Sequence, residues 1–241
     1  MARAPAARVR SNRALAFLAA RTLLIDGAVT EALDDGIAQV VTIGAGYDSR
    51  PWRLARPGVR FVELDHPTTQ ADKRRRAPTG PGPAYAPLEV GTDPLAPALV
   101  GAGWDLAAPG VAVVEGLTMY LDEAVVAELL VTLAELTGPG SRLAVNFGVG
   151  FAAADERRPT ETWARRAAAL ARESFRCELE PARVPELLVS AGWEPTDIAT
   201  GPEAAMRHLS GTGLPTAEVG TRSVIAIATH GRADVLRPRR R

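Results

Sequence analysis

Short apolar runs, each closed by glycine, proline or charge, recur along the chain from Gln39 onward. They predict strands at 39–43, 60–64, 84–90, 111–115, 142–147, 194–199 and 223–229. "VAVVEG" and "RLAVNF" are apolar without alternation, as expected of strands covered on both faces of a parallel sheet. The intervening stretches change to helical spacing. Asp122 is placed to cap one helix, with Val125, Leu129, Leu133 and Leu136 on one face and "TGPG" as its stop. A second helix is predicted over 160–175, and a third opens at Pro181 and ends before Gly192. Alternating strands and helices predict an α/β fold: a doubly wound, mostly parallel, seven-stranded sheet with helices on both faces. The last two runs have no strong helix between them, and they predict an antiparallel final strand reached through a long loop over 201–221. No linker or repeat divides the chain, so residues 1–241 read as one domain, with a helical segment over 1–36 and a disordered basic tail over 232–241.

Composition narrows the function classes. Basic and acidic residues balance at 28 each, which argues against a nucleic-acid partner. Cys177 is the only cysteine, and the three histidines, His66, His208 and His230, have no ligand spacing, so no metal is expected. The basic start and the apolar run over 14–20 resemble a leader sequence, but Arg21 closes the run early and a helix is the better reading. No stretch reaches the ~20 apolar residues of a membrane span, and a cytoplasmic location is expected. The basic run over 73–76 reads as a solvated helix face.

The chemistry gathers after the first strand, in "QVVTIGAGYDSRPWRL". Gly44 and Gly46 would let the backbone turn tightly and a ligand approach without a Cβ in the way. A dinucleotide fingerprint would want a third glycine where Ser49 stands, and Asp48 would repel a pyrophosphate. The second strand ends in "FVELDHP", which puts Asp65 21 residues after Gly44, near the spacing expected of an acid that grips ribose hydroxyls. Glu89 and Glu115 are expected to close the third and fourth strands. Carboxylates along one sheet edge call for a cation between them, and S-adenosyl-L-methionine is a phosphate-free nucleoside that carries a sulfonium and an ammonium.

Three blocks, "QVVTIGAGYDSRPWRL", "FVELDHPTTQADK" and "VVEGLTMYL", resemble the leucine carboxyl methyltransferase family in order and separation. "AARTLLID" and "LLVSAGWEP" extend the likeness over about 18–229. The resemblance implies a class I, Rossmann-like methyltransferase using S-adenosyl-L-methionine. It implies that Arg21 grips the cofactor carboxylate, that Gly44, Ala45 and Gly46 pass beneath its methionine and ribose part, and that Asp65 holds the ribose. Glu89 with Val90 would face the adenine, Glu115 the amino end, and Asp48 would pin the glycine loop or meet the cofactor. Arg50 and Arg53 would brace the motif. The family usually has Asp-Leu where this chain has Glu89-Val90, and more residues before the "AART" block.

A small-molecule acceptor, methylated on a carboxyl or hydroxyl oxygen, is expected. Its pocket is assigned to 147–160, 172–183 and 206–214, with Tyr120, Arg207 and His208 as candidate contacts and no base assigned. Two other readings compete: an NAD(P)-dependent oxidoreductase, and a non-catalytic binding module on the same fold.

Overall fold

A computed structural model describes residues 12–150 and 176–230. In chain order these form α1 (Arg13–Asp34), β1 (Gln39–Ile43), the single turn α2 (Arg50–Arg53), β2 (Arg60–Asp65), α3 (Pro67–Arg76), β3 (Ala84–Pro87) and α4 (Leu95–Gly101). There follow β4 (Val111–Val114), a 3₁₀ turn (Thr118–Tyr120), α5 (Glu123–Glu135), β5 (Arg142–Gly148), α6 (Arg183–Ser190), β6 (Trp193–Thr200), α7 (Gly201–Leu209) and β7 (Ser223–His230).

The seven strands form one sheet in the order β3-β2-β1-β4-β5-β7-β6. The pairs among β1–β5 are parallel, and β7 runs antiparallel between β5 and β6, with Phe147 opposite Val224 and Thr200 opposite Val224 from the other side. The strand order reverses between β1 and β4, which opens a crevice outside their carboxyl ends.

Alternation within the buried strands sorts side chains to two cores. Val41, Ile43, Leu64, Ala112 and Val114 face Leu99, Leu130, Leu133 and Leu188 of the helices on one side. Val40, Val111, Val113 and Ala144 face Ala16, Ala20, Leu24, Ala204 and Ala205 of α1 and α7 on the other. Four alanines at that second contact let the two helices approach closely. Helix α1 begins on Asn12, whose side chain accepts from the N–H groups of Ala14 and Leu15. Among the described residues no helix is long and apolar enough to cross a membrane.

Several expectations change. β3 stops at Pro87, which leaves Glu89 and Val90 in the following loop rather than at a strand end. Helix α5 buries Val126, Leu129, Leu130 and Leu133, a stripe turned one residue from the expected one. Helix α6 starts at Arg183, not Pro181. A helix does stand between the last two strands. α7 opens on a capping box, in which Thr200 and Glu203 exchange side-chain and backbone bonds. The helix expected over 160–175 lies outside the described residues.

Candidate functional site

After β1 the chain bends through Gly44 (φ +66°) and Gly46 (φ +46°), left-handed conformations that favour glycine. The N–H groups of Gly44 and Ala45 donate to the Leu64 carbonyl at 2.8 and 3.1 Å, which fastens the bend to the end of β2. The two glycines serve different ends. A Cβ on Gly44 would stand 3.0 Å from Leu117 Cδ1, whereas a Cβ on Gly46 would meet nothing within 4 Å. Gly46 is the bare surface expected of both, and Gly44 makes room for the protein's own leucine.

Asp65 closes β2 beside this bend. One carboxylate oxygen accepts the Gly46 N–H and the other the His66 N–H at 2.6 Å. His66 then caps α3. The loop after β3 lies against the same edge, since the Leu88 N–H donates to the Asp65 carbonyl at 2.8 Å. This puts Glu89 and Val90 beside Asp65, with the Glu89 side chain exposed.

Arg50 is the hub of the site. Its side chain is 3% exposed and reaches carboxylates from three elements: Asp26 of α1 (Nε, 2.7 Å), Asp48 of the bend (Nη1, 3.2 Å) and Glu115 after β4 (Nη2, 2.5 Å). Burial alone would pull its pKa down, but the three carboxylates outweigh burial and raise it. Arg53 holds the second oxygen of Asp26 at 2.6 Å. Glu115 also accepts from Arg21 Nε at 2.7 Å and Thr22 Oγ1 at 3.2 Å. Burial works to raise the Glu115 pKa, and the Arg50 and Arg21 guanidinium groups override it and lower it.

These bonds correct two expectations. Of the edge carboxylates, Glu115 does not wait for an outside cation, because Arg21 and Arg50 already hold it, whereas Asp65 and Glu89 have no ion pair among the described residues. Nor does Asp48 crowd a phosphate. It faces inward, where it accepts from Thr42 Oγ1 at 3.1 Å and the Arg50 backbone N–H at 2.9 Å, and so pins the loop. What distinguishes the bend from a dinucleotide site is the helix after it. α2 is one turn of four residues, too short to offer a diphosphate a developed helix N-terminus.

Beneath the bend, Glu63 (1% exposed) faces Lys73 Nζ of α3 at 2.6 Å. Burial pushes its carboxyl up to about 7, with Lys73 opposing and Asp48 and Asp65 adding to the rise. Lys73 therefore departs from the solvated helix face expected of its run, while Arg74, Arg75 and Arg76 conform.

Arg21 spends only Nε on Glu115. Nη1 and Nη2 have no hydrogen-bond partner among the described residues, and they lie 3.9 and 3.8 Å from where a Cβ on Gly116 would stand. Phe17 packs on the guanidinium, 5.6 Å from ring centroid to Cζ. Tyr120 follows in the 3₁₀ turn on the same edge.

Arg207 and His208 are not part of this assembly. β6 runs parallel to β5, so α7 starts at the carboxyl edge and leads away from it. At the far end of α7, Arg207 binds Asp197 at 2.7 Å and His208 is exposed. The expected loop over the edge fails because its first nine residues are this helix. Of the expected acceptor pocket, residues 151–160 and 172–175 lie outside the described residues. Sequence reasoning missed Thr22 and Asp26, both inside the "AARTLLID" block, and the bareness of Gly116. An open groove of about 950 Å³ lined by Gln39, Arg60 and Pro83 sits at the opposite edge and holds none of these groups.

A family model described as leucine carboxyl methyltransferase matches residues 1–134, which carry the bend, Asp65, Glu115 and all three arginines. The chain belongs to the leucine carboxyl methyltransferase family. A protein of Parafrankia sp. (strain EAN1pec), provisionally named an S-adenosyl-L-methionine-dependent methyltransferase, is 36% identical over 142 residues, 57% of this chain and 46% of the relative. One of Mycolicibacterium gilvum (strain PYR-GCK), named in the same way, is 32% identical over 195 residues, 76% of this chain and 64% of the relative. The chain spans about half the length of the first of these family relatives.

Solved structures share the fold. The Burkholderia thailandensis 1,6-didemethyltoxoflavin-N1-methyltransferase, solved with 1,6-didemethyltoxoflavin and S-adenosylhomocysteine, superposes with a TM-score of 0.55 at 16% identity, covering 90% of this chain and 79% of its own. Human N-acetylserotonin methyltransferase in complex with S-adenosylmethionine gives 0.55 at 16% identity, covering 93% of this chain and 58% of its own. The architecture of this family member is thus the Rossmann-like one of class I methyltransferases.

Proposed function

We propose that this family member is an S-adenosyl-L-methionine-dependent methyltransferase that methylates an oxygen, carboxyl or hydroxyl, of a small-molecule acceptor. The observation that carries this reading is the juxtaposition on one sheet edge of open backbone at Gly46, the Asp65 carboxylate beside it, and the two Arg21 nitrogens over Gly116 that have no partner among the described residues. That set fits a nucleoside with an amino-acid tail. Asp65 would accept from the ribose hydroxyls, Arg21 would hold the carboxylate, and the Glu89–Val90 loop would border the adenine. Glu115 would offer its remaining lone pair to the ammonium. Ala45 and Asp48 would act by keeping the bend in shape.

Bound there, the cofactor supplies a methyl group on a cationic sulfur, which departs as a neutral thioether. The protein's part is alignment, and well-oriented reactants gain an effective molarity of about 10⁵–10⁸ M. A carboxylate acceptor is already ionised and releases no proton, whereas a hydroxyl releases one. Tyr120 is the candidate acceptor contact left on the edge once Arg207 and His208 are set aside.

Thermal unfolding with ligand tests the cofactor: S-adenosyl-L-methionine or S-adenosylhomocysteine should raise Tm, and NAD(P) should not. Transfer of a labelled methyl group to a panel of carboxylic acids and alcohols tests the acceptor. A product cleaved by mild base is an ester and assigns the carboxyl. Transfer to nitrogen acceptors alone would refute O-methylation.

A further inference from the structure

We infer that Arg50 is a positioning residue that aims the Arg21 fork at the ligand's carboxylate, acting through Glu115. The inference rests on the proposed cofactor reading and adds to it a second layer of the site.

The argument starts from what fixes Arg21. Its guanidinium is held by one charged bond, Nε to Glu115 Oε1, and by the Phe17 ring, which restrains tilt but not rotation. The direction of Nη1 and Nη2 therefore follows the Glu115 carboxylate. That carboxylate ends a flexible side chain and is itself held by Arg50 on Oε2 and Thr22 on Oε1. Arg50 is buried, and its other two contacts, to Asp26 and Asp48, tie it to α1 and to the glycine bend. Because α1 also carries Arg21, the chain Asp26–Arg50–Glu115–Arg21 closes a loop within the protein. A planar guanidinium with donors in a fixed fork can meet three carboxylates at once, which a lysine ammonium on a single stem cannot match. Removing Arg50 leaves Asp48 without its cation and frees Glu115 Oε2, so the carboxylate is anchored at Oε1 alone, by Thr22 and Arg21, and can pivot there and carry the Arg21 fork with it.

The test separates aim from general support. Calorimetry measures affinity for S-adenosylhomocysteine and for its decarboxylated analogue, which keeps the nucleoside and the ammonium. The wild-type protein should prefer the carboxylate-bearing ligand by about tenfold or more, as a charged hydrogen bond implies. Arg50→Met should bring that preference to within roughly threefold of unity while the analogue's own affinity moves little, and Arg50→Lys should restore it only in part. Glu115→Gln should erode the preference in the same way, and it decides the matter if Arg50→Met does not fold. Arg56→Met, which removes a surface pair with Asp34, is the control and should keep the preference. Equal losses for both ligands, or a preference unchanged in both variants, overturn the inference and leave the cofactor reading standing. A wild-type protein that binds neither ligand overturns the cofactor reading itself.

Discussion

The Asp65 oxygens hold the Gly46 and His66 N–H groups and keep lone pairs that the proposed ribose contact would use. Asp65→Ala should weaken S-adenosylhomocysteine binding at least tenfold by calorimetry, since charged hydrogen bonds are worth roughly 1.5–3 kcal/mol each. Unchanged affinity would remove the ribose assignment. Glu115→Ala should reduce cofactor affinity far more than Glu123→Ala, because Glu123 pairs with Arg183 on an exposed helix turn away from the bend. Glu63 predicts a pH signature. Its folded-state value of about 7 exceeds the ordinary 4.5, so between those values the unfolded chain has lost a proton that the folded chain keeps. Stability should then fall as pH rises from about 4.5 to 7. Tm followed against pH should show that slope in the wild type and not in Glu63→Gln, and parallel curves would refute it. At this scale spacing is enough to place Gly46 and Asp65 at neighbouring strand ends, where the structure bonds them to each other. Spacing cannot show which acids an arginine meets. Arg50 bonds residues 24 positions before it and 65 after it, so its partners depend on how helix and sheet stack.

Among the elements, α1 and α7 show how the site edge is braced. Gly220 (φ +59°) lies against the Phe17 ring where a Cβ would stand, and a Cβ on Gly201 would meet the Gly220 carbonyl. Arg13 binds Glu218 at 3.1 Å beside them. Gly220→Ala should cost about 1–3 kcal/mol through overlap and backbone strain, a drop in Tm of roughly 2–10 °C. Gly211→Ala, also at positive φ but facing open space, should cost less, and equal shifts would contradict the packing described. The strands β1, β4 and β5 are legible because each is a buried apolar run, whereas β3 and β6 are mostly unburied and carry a weaker signal. α7 was missed although Thr200-Gly-Pro-Glu203 is a capping-box signature, because its nine residues bury only Gly201, Ala204, Ala205 and Leu209, small side chains that leave a weak stripe. Glu89 is expected at a strand end because "YAPLEV" continues an apolar pattern past Pro87, but the strand stops at Pro87 and only the Leu88 N–H still bonds to β2.

For the whole molecule, strand alternation foretold the doubly wound sheet, and the reversal between β1 and β4 puts every residue of the proposed cofactor seat on one edge. The electrostatic argument needed revision at the same scale. Of the expected row of acids, Glu115 belongs to a network in which Arg21, Arg50 and Arg53 meet Asp26, Asp48 and Glu115, and beside it the edge presents two Arg21 guanidinium nitrogens, bare backbone and Asp65. On the proposed reading, selectivity for an amino-acid-bearing nucleoside would come from shape and from the zwitterionic tail more than from attraction to the sulfonium. The most direct test is titration calorimetry of the folded protein with S-adenosylhomocysteine and, separately, NAD. Saturable one-to-one binding of the first with no heat from the second is the result predicted; tight binding of NAD with none of S-adenosylhomocysteine would contradict it.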